Sequence, residues 1–127
     1  MSAAIVPGLT AVVQTTVEQA DTALSIGSGD VPVLATPRLL ALAEAATVAA
    51  VSAHLDATET SVGTAVQLRH TRPSPIGTLV QATAELAEVD GKRLVFSVAA
   101  TDGAGQTIGS GTVERVIVNR ERFTSRR

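Results

Sequence analysis

Between Leu39 and Ala53 every residue is Ala, Leu, Val, Thr or Ser except one acid, Glu44, and there is no base. At helical spacing its neighbours are Leu40, Val48, Val51 and Leu55, so the carboxylate interrupts an apolar stripe. An unpaired carboxylate is costly to bury, so one placed there is paired, protonated or functional. Desolvation favours the protonated form, which suits a general base working near neutral pH. The plainer reading is a helix position at the open end of a sheet, where the acid reaches water.

Three further residues have chemistry to offer. His70 closes an alternating run that places Val62, Thr64, Val66, Leu68 and His70 on one face, with Gly63, Ala65, Gln67 and Arg69 on the other. Its imidazole is either a proton carrier or a satisfied structural group. Thr36 precedes Pro37 and reads as a helix N-cap with proline at the first helical position. Gly63 interrupts a strand, which marks a bend or a close approach of ligand to backbone, and its N–H is a candidate oxyanion donor. His54, near the end of the apolar helix, reads as structural.

Other chemistries find little support. The chain has no cysteine, which excludes disulfides, thiolate zinc sites and a cysteine nucleophile. Two histidines give an imidazole-based metal site little to work with, so neither metal nor cofactor is expected. Aromatic residues are 2% and the net charge is −2, which argues against base stacking and against nucleic-acid binding by a positive field. Gly103-Ala-Gly105 is not followed by a helix, and there is no P-loop or nucleophile elbow. Arg69, Arg72, Lys92, Arg93 and Arg115 read as scattered surface cations, of which a few could meet ligand phosphates. Met1 to Val6 has no charged n-region, and no apolar run is long enough to span a membrane. The expectation is a soluble, cytoplasmic, single domain over residues 1–127, with a basic, frayed tail from about residue 120.

The elements that must position these residues follow from periodicity. Leu9 to Val17 reads as a strand, Gly27 to Pro32 as a loop, and Arg38 to Leu55 as a helix apolar nearly all round, which should be surrounded by other structure. Ser61–Thr71, Leu79–Val89, the stretch marked by Leu94, Phe96, Val98 and Ala100, and Gln106–Asn119 read as strands. Asp90-Gly91 signals a type I′ hairpin turn. Four strands joined by short turns make an antiparallel sheet, which must curl around the one apolar helix to hide it. Long strands in so small a domain leave an exposed edge, and pairing two such edges predicts a dimer.

The run Val33-Leu-Ala-Thr36-Pro, then Glu44, Ser61-Val-Gly63-Thr64-Ala, His70-Thr71, Pro75-Ile-Gly77 and Gly109-Ser-Gly111-Thr-Val-Glu-Arg115 resembles the fluoroacetyl-CoA thioesterase-like branch of the hotdog-fold thioesterases. The resemblance runs from about Val31 to Phe123. It implies an α+β hotdog fold, a curved antiparallel sheet wrapped around one long central helix, and a homodimer, or a tetramer, with acyl-CoA sites near the subunit interface. It implies a catalytic group of Thr36, Glu44 and His70, with Gly63 near the acyl group. Thr64 and Arg69 are added as candidate substrate-binding residues. The fluoroacetyl-specific members carry a lid of phenylalanines in the loop before the threonine. Here Gly27 to Leu34 has none, which implies a broader or different small acyl-CoA.

The implied reaction is hydrolysis of an acyl-CoA thioester, with Glu44 as base or nucleophile, Thr36 positioning, His70 orienting or protonating the leaving thiolate, and an amide at Gly63 meeting the oxyanion. Geometry resists one point. Eight residues of helix separate Thr36 from Glu44, about 12 Å of rise and about 80° of rotation. Either the helix starts later, near Leu39, and the chain before it folds back, or Thr36 and Glu44 contact different parts of the substrate; the grouping that the resemblance implies favours the first. The alternative function is an acyl-CoA-binding domain without turnover. A hotdog hydratase would need an Asp–His pair five residues apart on a loop-helix turn, which is not found.

Overall fold

A computed structural model describes residues 4–125. The chain runs β1 (Thr10–Thr16), α1 (Ala23–Ile26), α2 (Thr36–Val51), β2 (Glu59–His70), β3 (Leu79–Asp90), β4 (Arg93–Asp102), β5 (Thr107–Asn119) and α3 (Arg120–Thr124). The strands form one antiparallel sheet in the order β1-β3-β4-β5-β2. Strand alternation sets the core as expected. Val80, Ala82, Ala84 and Leu86 of β3 and Leu94, Phe96, Val98 and Ala100 of β4 are buried on the inner face. The helix meets them with Leu39, Leu42, Ala43, Ala46, Ala50 and Val51, and the small side chains on both surfaces let it lie close to the sheet.

Several expectations change. The N-cap of α2 is Ala35, which offers no side-chain cap, and Thr36 is already the first helical residue. Its hydroxyl is thereby free for another partner, and the helix neither starts late near Leu39 nor runs on to Leu55. It ends at Val51 and is followed by a 3-10 turn over Ser52–His54. Asp90 stays in β3, paired with Arg93, so the turn is Gly91-Lys92 and only Gly91 has positive φ, at 61°. A type I′ turn needs two such residues, so that reading fails. The start of the tail forms the short helix α3, which Asn119 caps by accepting from the Arg122 amide at 2.9 Å.

Nor is the helix surrounded. The sheet covers one side, while Ala41, Ala45, Val48 and Ala49 stay exposed, Val48 to 42%. α2 lies mainly over β1 and β3, so the inner face of β2, an edge strand, is left open. Val66 shows this: it sits opposite the buried Val113 yet is 47% exposed.

The face assignment along β2 also fails, and its cause positions the site. Gly63 pairs with Arg115 and Ala65 with Glu114, which leaves Thr64 as an extra residue, a β-bulge. One unpaired residue inverts the alternation. Ser61 and Gly63 therefore share the inner face with Val66, Leu68 and His70, whereas Val62 lies on the outer face. The Thr64 hydroxyl donates to Glu114, to its carboxylate at 3.1 Å and its carbonyl at 3.3 Å, which pins the bulge to the outer surface.

Candidate active site

The first half of the site lies where α2 begins. Thr36 Oγ1 is 2.8 Å from His70 Nδ1. The approach is built by the chain before the helix. The Ala35 amide donates to the Asp21 carbonyl at 2.9 Å, and the Leu34 amide to the Ser74 carbonyl at 2.9 Å. Arg38 Nε donates to Asp21 Oδ1 at 2.8 Å, which ties the first turn of α2 to the same loop. An open cavity of about 360 Å³ lies over the pair, walled by Asp30, Val33, Leu34 and Arg72 among others. Burial holds the His70 imidazole below its usual pKa, with partial opposition from the backbone of Arg72, so the ring is neutral at pH 7. Its Nε2 is buried without a partner of hydrogen-bonding geometry. A neutral ring with Nδ1 unprotonated accepts from Thr36; the other tautomer donates to it.

The second half is built around Glu44, which is not lodged unpaired in an apolar stripe. Its Oε2 accepts from Arg115 Nη1 at 3.3 Å, and its side chain is 35% exposed against 8% for Arg115. The carboxylate rests on Gly63: a Cβ added there would stand 2.7 Å from Oε2. That close approach is the reason for glycine at this position, beyond any bend. Arg115 is anchored through Nε to Ser61 Oγ at 2.8 Å and through Nη2 to the Ser61 carbonyl at 2.9 Å. Burial lowers the Arg115 pKa from its ordinary range, and the charge of Glu44 opposes that loss.

Arg115 was read as a surface cation and is a core residue, at 6% exposure. The signal for it was present, since Val113, Arg115 and Ile117 fall at period two on a buried face. Thr36 and Glu44 are not brought together within the chain. Gly63 and His70 lie seven residues apart on β2, about 20 Å. Thr64 and Arg69 sit on the outer face, across the strand from His70. Among the described residues no group of three or more His, Asp or Glu is placed to hold a metal ion. No helix there is long and apolar enough to cross a membrane.

An antiparallel five-stranded sheet curled on one long helix is the architecture of the hotdog-fold thioesterases. The family model described as fluoroacetyl-CoA-specific thioesterase matches residues 17–121. The fluoroacetyl-CoA thioesterase of Streptantibioticus cattleyicolor is 43% identical over 94 residues, which cover 74% of this chain and 67% of that one. A phenylalanine-to-alanine variant of the fluoroacetyl-CoA-specific thioesterase FlK superposes with a TM-score of 0.89 at 34% identity, over 97% of this chain and 95% of that one. A thioesterase superfamily member from Thermus thermophilus gives a TM-score of 0.89 at 28% identity, over 96% and 90%. The chain belongs to the fluoroacetyl-CoA-specific thioesterase family and is a thioester hydrolase.

Proposed function

We propose that the chain works as a homodimer that hydrolyses a small acyl-CoA to a carboxylate and free CoA. One observation carries this reading: both half-sites lie on the inner face of β2, seven residues apart, and β2 has an unpaired edge. Antiparallel pairing of two β2 edges about a two-fold axis between Val66 and Gln67 sets Gly63 of one strand beside His70 of the other. Glu44 and Gly63 of one protomer then face Thr36 and His70 of its partner. The distance that forbids their meeting within one chain no longer matters. The second copy also covers Val66 and the exposed alanines of α2.

In that composite site Glu44 takes a proton from water as it attacks the thioester carbonyl, or attacks the carbonyl itself to give an anhydride that water opens. Oε1 is free for either task. An amide at Gly63 meets the oxyanion. Thr36, hydrogen-bonded to His70, orients the carbonyl or the water. The C–S bond breaks as CoA leaves, and its thiolate is protonated through His70. Thr64 and Arg69, on the outer face, are assigned to the CoA moiety. A CoA thioester substrate supports a cytoplasmic location. The loop over Thr36 and His70 carries Gly29, Asp30, Val31 and Val33 and no aromatic ring, which supports an acyl pocket without fluorine selectivity.

The test is release of free thiol from acetyl- and fluoroacetyl-CoA by the wild type and by Glu44→Gln. The expected loss in Glu44→Gln is about 10³-fold in kcat/KM, with the two substrates differing in the wild type by less than about tenfold. A Glu44→Gln variant at wild-type rate removes Glu44 from the chemistry.

A further inference from the structure

The first turn of α2 is Thr36, Pro37, Arg38 and Leu39, and it lacks most supports of a helix start. Its N-cap, Ala35, offers no side-chain oxygen, and the turn contains no acid. Its one charge, Arg38, has the sign that the helix dipole disfavours at this end. Helices fray from their ends, and Thr36 is the outermost residue of this one. We propose that Asp21 is a positioning residue for Thr36: from outside the helix it braces the first turn and keeps the threonine hydroxyl on His70. The inference rests on Thr36 and His70 being part of the catalytic site.

Asp21 meets the helix start at two points. Its carbonyl accepts from the Ala35 amide at 2.9 Å, which fixes the N-cap residue. Its Oδ1 accepts from Arg38 Nε at 2.8 Å, which neutralises the misplaced cation and sets a negative charge beside the turn. The carboxylate is itself held, because Oδ2 accepts from the Glu18 amide at 2.8 Å. That amide, and after it Arg38, keep the Asp21 carboxyl below the usual carboxylate range, so it is charged at neutral pH. The next residues continue the brace. Thr22 pairs with Leu34, and the Ala23 amide donates to the Val33 carbonyl at 2.9 Å, so this segment runs antiparallel to the strap that leads into Thr36. The pair is partly exposed, at 14% for Asp21 and 33% for Arg38. An ion pair of that kind adds little to global stability. What it fixes is local: the order of one turn, and with it the 2.8 Å between Thr36 Oγ1 and His70 Nδ1.

The experiment uses the full chain with acetyl-CoA. Asp21→Ala should lower kcat by about tenfold, with KM changed less than about threefold and the melting temperature by only a few degrees. Removing the cation as well, in Asp21→Ala/Arg38→Ala, should cost no more than Asp21→Ala alone, because the two side chains share one contact. In a Thr36→Ala background Asp21→Ala should cost less than about threefold, because the group it places is already gone. The NMR resonance of His70 Nδ1 should move in Asp21→Ala in the same direction as in Thr36→Ala, as the ring loses its hydroxyl partner. Wild-type kcat in Asp21→Ala overturns the proposal, as does a loss that persists in full in the Thr36→Ala background, or an Nδ1 resonance that stays at its wild-type position. If Asp21→Ala does not fold, Arg38→Ala breaks the same contact from the helix side and should lower kcat by about threefold or more, with the same Nδ1 movement; an unchanged kcat there overturns it equally. Thr36→Ala at the wild-type rate would fail the underlying reading, while the Nδ1 resonance would still test the brace, so the two failures are distinct.

Discussion

The hydroxyl of Thr36 and the ring of His70 share one hydrogen bond at 2.8 Å, and the ring is dried on its other side. Burial holds the imidazole below its usual pKa, with the Arg72 backbone in partial opposition. An NMR titration of the His70 ring should give a midpoint below the ordinary 6.5. A midpoint at or above that value would mean the ring is more solvated than its burial allows. The sign of the stability effect follows. A histidine depressed in the folded state is protonated first in the unfolded chain, so it leaves stability unaffected above about pH 6.5 and subtracts from it as pH falls below that value. His70→Asn should accordingly flatten the acid side of the melting-temperature profile. Thr36 and His70 were both singled out in the sequence, but not their contact. Thr36 was assigned to capping, and only its placement one residue inside the helix releases its hydroxyl for the ring.

At the scale of the element, the β2 bulge decides what faces the helix. Gly63→Ala tests how tightly strand and helix are matched. The atom nearest the new Cβ is the far end of the Glu44 side chain, which can move without disturbing the backbone. The substitution should therefore lower kcat/KM by about tenfold or more while the melting temperature changes by only a few degrees. Loss of the folded state instead would show that the backbone cannot accept a side chain there. The strands, the helix and the inner faces of β3 and β4 were legible because their apolar residues repeat at periods of two and 3.6. The bulge was not, since a polar and an apolar residue alternate just as regularly on either side of it. It is defined by pairing with β5, a partner about 50 residues away in sequence. Arg115 was missed for a related reason: a cation among valines reads as exposed unless the strand's inner face is already known.

For the whole molecule, the proposed division of the site between two protomers makes a numerical prediction. Glu44→Gln and His70→Ala homodimers should each be nearly inactive. In a mixed dimer one site holds both lesions and the other holds neither. Random re-pairing of the two variants should thus recover about one quarter of wild-type activity. Recovery of none would place Glu44 and His70 in the same protomer's site, against the 20 Å that separates Gly63 from His70 along β2. The sequence indicated a dimer through the exposed edge that long strands leave in a small domain. It could not show the division, because chain distance along an edge strand becomes proximity only once a second strand lies beside it.

The single extra residue at Thr64 constrains how this stretch can change in length. Adding or losing one residue between Gly63 and His70 would swing the imidazole to the solvent side and strand Thr36 without its partner. A change of two would return the ring to the correct side, displaced by about 7 Å. Evolution of this segment by indels is therefore governed by parity, with odd steps silencing the enzyme and even steps merely misplacing one of its parts.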